Sequence, residues 1–249
     1  MIMLRKTLWI LFIVTGASAM IALGFWQWGR LQERKDFNAK VIAQTNAPPL
    51  AINGEAIDAA SLEYRRATVS GIYDFSQEVV LRNRTYNGVA GVHLLTPLKI
   101  EKSSNAILID RGWISYPDSF PFEKRSKYNK PNGSVTVTGL IRLSQTRPDA
   151  SLAPADPPLN AELPRLDTWF YSDIALMQKQ IPYPIMSFYI ERFPATDPDE
   201  LPAPNPELEL SEGSHLSYVI QWFSFAIIFT VGCIALMRQQ MKRNRIRNT

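Results

Sequence analysis

The chain has 249 residues, 46% hydrophobic and 20% charged, which is enough apolar material for one packed domain with appendages and too much for a disordered chain. One cysteine and two histidines, His93 and His215, exclude an internal disulfide and a zinc-type Cys/His cluster. Seven basic residues (Arg5, Lys6, Arg238, Lys242, Arg243, Arg245 and Arg247) account for all the charge outside 29–215, while all 23 acidic residues lie within it; that stretch is net acidic, which excludes a nucleic-acid binder with a basic stripe on its folded domain.

Residues 1–6 form a short N-terminal tail, and residues 7–28 carry no charge. A run of about 22 residues is about 33 Å long as a helix, enough to cross a bilayer core, and helix is the state that satisfies its backbone in lipid. Trp9 near one end and Trp26 and Trp28 at the other fit aromatic belts at the two interfaces. The competing reading is a cleaved signal peptide, since Ala17-Ser18-Ala19 resembles a small-residue cleavage site, but the apolar run continues to Trp28.

Residues 29–215 then read as one extramembrane domain. Residues 31–45 extend the first helix as a polar, partly amphipathic arm, which Pro48-Pro49 stops. Strands are predicted over 64–73, 78–84, 89–100, 106–112, 134–143 and 186–192, with Asn87-Gly88 as a hairpin turn and Asn132-Gly133 as a further turn. A short helix is predicted over 173–180, capped by Ser172 or Asp173. Residues 147–164 are proline-rich and irregular, and residues 194–206, with five prolines, read as a stiff tether. Residues 216–237 are a second uncharged run containing Cys233, and 238–249 form a basic tail. The fold class is thus a membrane protein in which two transmembrane α-helices flank one β-rich α+β domain, its sheet mostly antiparallel or closed as a barrel.

The basic tail, opposite Glu207, Glu209 and Glu212 across the second run, puts the C-terminus in the cytoplasm. Two spans return the N-terminus to the same side and leave 29–215 outside. The first span begins by residue 7, leaving no room for an Arg-rich presequence, so the expected location is a bacterial inner membrane with a periplasmic main domain.

Chemistry-bearing residues are sparse. His93 lies in a strand-like run with no partner legible in the sequence, and there is no G-x-S-x-G elbow. His215 stands at the mouth of the second span, and Tyr218, Trp222 and Phe225 follow at +3, +7 and +10, on one helical face. A neutral imidazole beside large aromatic rings suits axial ligation and packing of a haem. The same stripe also reads as an interfacial aromatic belt with a snorkelling histidine. Arg30, Lys35, Arg82, Arg84 and Arg111 are candidates to hold carboxylates such as haem propionates, or are structural.

These segments line up with a known family. Leu23-Gly24-Phe25-Trp26-Gln27 with Arg30; Tyr64-Arg65 leading to Val69, Gly71 and Tyr73-Asp74; Gly91 through Thr96-Pro97-Leu98; residues 107–113, Ile-Leu-Ile-Asp-Arg-Gly-Trp; Gly139 with Arg142; and His215-Leu216-Ser217-Tyr218 followed by Gln221-Trp222-Phe223 occur in order along nearly the whole chain. The chain resembles the surfeit locus protein 1 family of cytochrome c oxidase assembly factors. Glu33-Arg34 stands where that family suggests an aromatic and a lysine, and 147–164 matches no family motif.

The resemblance implies a non-enzymatic role in haem a delivery or insertion into subunit I of the oxidase, with the bilayer, subunit I and other oxidase assembly factors as partners. The family's histidine falls on His215, which makes it the haem-iron ligand of that reading. Tyr218 and Trp222 would supply the apolar face, with Trp26 and Arg30 across from them on the first helix. A haem-independent scaffold for an oxidase intermediate is the alternative. A membrane-anchored periplasmic hydrolase is a remote one that requires a nucleophile within hydrogen-bond reach of His93.

Overall fold

The first apolar run is the core of a helix about twice as long as a bilayer requires. In the computed structural model, which describes residues 2–149, 152–193, 200–203, 205 and 208–246 (backbone only for 2–5 and 244–246), α1 spans Ile2–Asn46. It stops just before Pro48-Pro49, because a residue preceding proline is pushed out of the helical region. The last helix of the chain, His215–Ile246, covers the second apolar run and continues into the basic tail. Both are long and apolar enough to cross a membrane, and only 11% of the most apolar stretch of each is buried, so they are not core helices of a soluble fold. The protein is a membrane protein with two such helices flanking a β-rich domain.

The chain divides into two compact units. One comprises Met1–Lys40 with Glu209–Thr249, the other Val41–Leu208; residues 29–40 and 209–215 therefore belong with the helices. In the helical unit the two spans pack antiparallel on each other. On the last helix Val219, Ala226 and Cys233 are buried at seven-residue spacing, the period of a continuous helix–helix seam. Gly16 and Gly24 of α1 admit aromatic rings: a Cβ there would lie 2.6 Å from Phe229 and 2.9 Å from Phe223. Phe12 meets Phe229 at 5.5 Å and Phe25 meets Phe223 at 5.4 Å between ring centroids. In lipid, where apolar burial supplies little drive, such close fit is what holds helices together.

The second unit carries β1 (Leu50–Ile52), β2 (Arg66–Tyr73), β3 (Val79–Tyr86), β4 (Val89–Ile100), β5 (Ala106–Ser115), a single helical turn α2 (Tyr116–Ser119), β6 (Ser134–Leu143), β7 (Thr168–Trp169), α3 (Ile174–Met177) and β8 (Ile185–Arg192). The sheet runs β1-β2-β6-β8-β5-β4-β3-β7, and an added β2–β4 pairing closes β2, β6, β8, β5 and β4 into a ring. The ring pairings are antiparallel except β5–β8. The edge of β4 passes from β3 to β2 at Pro97, which has no N–H to give either neighbour. Where the ring closes, a Cβ on Gly71 would lie 2.2 Å from the Lys99 carbonyl oxygen; only glycine allows the two backbones so close.

Val69, Ile107, Ile109, Val137, Ile141, Phe188 and Ile190 fill one core. Leu81, Leu95, Leu108, Trp169, Met177 and Tyr189 fill a second, with β7 and α3 contributing to it. Successive β5 residues thus point into different cores, so that strand is apolar on both faces, as a doubly covered strand must be.

The predicted strands are all present. β1, β7 and α2 were not legible: two to four residues carry no period. α3 is shorter than predicted and is capped by Asp173, whose Oδ1 accepts the Leu176 N–H at 3.1 Å, while Ser172 makes no such contact. Of the predicted tether, 194–199, 204 and 206 lie outside the described residues. Ala203 is not a free linker position: it exchanges two backbone hydrogen bonds with Trp113, at 2.8 and 2.7 Å.

Candidate functional site

Four α1 residues spaced 4, 3 and 4 apart (Gln27, Leu31, Arg34 and Asn38) lie along one stripe of the helix. Leu31 is fully buried. Arg34 donates to the carbonyls of Ser211 at 2.9 Å and Glu209 at 2.6 Å, and Asn38 donates to that of Leu210 at 2.6 Å. Lys35 lies 3.7 Å from Glu212. The segment leading into the last helix is thereby strapped to α1 along three successive carbonyls.

The strap delivers His215, the first residue of the last helix. Its Nδ1 lies 2.9 Å from Gln27 Oε1. An amide oxygen facing Nδ1 matches the tautomer that has its proton on Nδ1 and its lone pair on Nε2. Among the described residues Nε2 makes no hydrogen bond.

Tyr218 is 45% exposed, and half-buried Trp222 meets Phe225 edge-on at 6.2 Å. The stripe they form runs beside the Val219–Ala226–Cys233 seam on the same helix. Trp26 is 58% exposed and makes no hydrogen bond or ring contact among the described residues. It stands about 100° round α1 from Gln27, so the two point in different directions. Arg30 is exposed and paired with Glu33 at 2.6 Å.

His93, Arg82, Arg84 and Arg111 belong to the barrel unit. There β5 carries an extra residue: Leu94 pairs with Gly112 and Leu95 with Asp110, leaving Arg111 as a β-bulge that sends neighbouring polar side chains to separate partners. Asp110 Oδ2 lies 2.9 Å from His93 Nδ1, and its Oδ1 accepts the Gly112 N–H at 3.0 Å. Arg111, 3% exposed, donates to Glu78 Oε2 at 2.8 Å and to the Tyr128 carbonyl. Thr96 donates to the same Glu78 oxygen at 2.6 Å. Burial lowers the Arg111 pKa, and the Glu78 carboxylate offsets part of that. Arg111 is thus fully engaged inside the protein. Arg82 lies over the Phe170 ring at 4.0 Å. Among the described residues no hydroxyl or thiol hydrogen-bonds His93, so the geometry supplies the imidazole–carboxylate half of a triad without a nucleophile.

The comparisons with known proteins bear on this arrangement. A sequence model of the SURF1 family matches residues 14–227, from within the first span into the second. The chain belongs to the SURF1 family. A SURF1-like protein of Monosiga brevicollis is 25% identical over 236 residues, covering 90% of this chain and 86% of that one. A SURF1-like protein of Rickettsia felis is 28% identical over 226 residues, 89% and 93% of the two chains. Surfeit locus protein 1 of Homo sapiens is 24% identical over 233 residues, 88% and 73% of the two. In this SURF1-family protein Gln27 and Arg34, quoted above only as motif positions, and Asn38 had no part in the candidate site read from sequence. The available signals were a carboxamide in the last turn of an apolar run and the 4-3-4 spacing behind it.

Proposed function

We propose that this SURF1-family protein is a non-enzymatic assembly factor for cytochrome c oxidase, acting in haem a delivery or insertion into subunit I. We place it in a bacterial inner membrane with both termini cytoplasmic and the barrel periplasmic. The observation that carries the haem reading is His215: an imidazole at the head of a membrane span, its Nδ1 held by Gln27 and its Nε2 without a partner among the described residues. A metal-ligating histidine has this form, one nitrogen anchored by an oxygen acceptor and the other open. The residues therefore fit the group. His215 would hold the iron, Tyr218 and Trp222 would supply the apolar face, and Arg30 would pair with a propionate, since its exposed pair with Glu33 is weak and exchangeable. Trp26, turned away from Gln27, is an interfacial anchor beside this set. Haem, when bound, supplies an iron that accepts a nitrogen lone pair and two carboxylates. A single protein ligand on a half-open surface suits a carrier that must also release.

The scaffold reading has one observation in its favour: the His215–Gln27 bond also joins the two spans. The visible spectrum of the detergent-purified protein, co-expressed with haem a synthesis, separates the two. A Soret band in the wild type that is lost in His215→Ala supports haem handling. A wild type without haem shifts the weight to the scaffold, which must then retain oxidase subunits in a pull-down with His215→Ala.

A further inference from the structure

We infer that Gln27 is a positioning residue for His215: it holds the proton on Nδ1 and so leaves the lone pair on Nε2, free for a metal centre in an amphiphilic ligand. The ligand class rests on the proposed function, whereas the tautomer does not. A free neutral imidazole prefers its proton on Nε2, the nitrogen that has to ligate. The Gln27 oxygen, 2.9 Å from Nδ1, reverses that preference before any ligand arrives, and an anchored ring is also the more basic ligand.

Three further observations support this. Arg34, Asn38 and Lys35 tie the 209–212 segment to the same helix that carries Gln27, so donor and acceptor are held in register from two sides. Gln27 itself lies half-buried at the end of an apolar run, where a carboxamide is disfavoured unless its polar atoms are used. At Gly213, whose φ is +68°, a Cβ would be in ordinary van der Waals contact with His215, 3.6 Å from Cδ2 and 3.8 Å from Nε2; without one, the Nε2 edge borders no side chain of that residue.

The test uses the full chain in detergent micelles with 15N-labelled histidine. There are only two histidines, and His215→Ala assigns their signals. At pH 8 the wild type should show His215 with the proton on Nδ1. Gln27→Leu, similar in volume, should move it to Nε2, and Gln27→Glu, which keeps an acceptor oxygen, should restore Nδ1. Thermal melting of each variant checks the fold. Titration with ferric protoporphyrin gives the second readout: Gln27→Leu should weaken binding about 10- to 100-fold and Gln27→Glu should recover it. A His215 tautomer that does not change in Gln27→Leu overturns the inference. If the tautomer responds but the wild type binds no porphyrin, Gln27 keeps its role and the haem reading fails instead.

Discussion

Glu78 is a buried carboxylate between two buried guanidiniums: Arg111 at 2.8 Å and Arg125 at 4.0 Å, all three at most 3% exposed. Removing it leaves two positive charges without a counter-ion in a low-dielectric interior. Glu78→Ala is therefore expected to destabilise the barrel by about 3–5 kcal/mol, read as a lowered denaturation midpoint in Trp169 fluorescence. Glu191 is governed by the opposite imbalance. Burial raises its pKa above the ordinary 4.5, against the pull of Arg142 at 3.2 Å. The folded state then holds the proton more tightly than the unfolded one, so this group's contribution is complete below pH 4.5 and is lost as pH rises through the raised value. Glu191→Gln should abolish that part of the decline in melting temperature with pH. At Asp74 burial acts upward too, but hydrogen bonds from Ser76, Lys99 and Tyr183 outweigh it and hold the carboxyl low. Its contribution is present above the ordinary range and is lost as pH falls through the folded value. At this scale His215 was legible because a histidine at the mouth of an apolar run is conspicuous. Its partner was not: Gln27 lies 188 positions away, and no local pattern pairs them.

Among the elements, the spans make the sharpest prediction. Gly24 faces the Phe223 ring, whereas Gly29 has nothing within 4 Å of a Cβ. Gly24→Ile should separate the helices and Gly29→Ala should not. The measurement is cross-linking by a short bifunctional thiol reagent between cysteines replacing Phe12 and Phe229, whose rings meet across the helix pair, in a Cys233→Ser background. The short helix α3 depends on one cap. Asp173→Ala removes the acceptor for the Leu176 N–H and should cost about 1 kcal/mol in thermal stability. Strands β4 and β6 were readable because Asn87-Gly88 and Asn132-Gly133 precede them and apolar and β-branched residues fill them. The β5 bulge was invisible, since an inserted residue is defined by the partner strand and not by its own sequence. That bulge is why His93, solitary in the sequence, has Asp110 beside it.

For the whole molecule the charge distribution makes a directional prediction. In the proposed orientation, barrel outside and basic tail within, a phosphatase active only in the periplasm should work when fused after Gly213, and a fluorescent reporter active only in the cytoplasm should work when fused after Thr249. The reverse pattern would overturn the orientation. Two spans, a β-rich insert, its main strands and the histidine at the second span's mouth followed from sequence alone, because length, hydropathy and strand period are local properties that each segment carries by itself. Barrel closure through β2 and β4, the pairing of the spans through Gly16 and Gly24, the carbonyl strap and the Gln27–His215 contact were decided only by the tertiary structure. Each joins groups far apart in the chain, and their match in shape and hydrogen bonding exists only once both partners are in place.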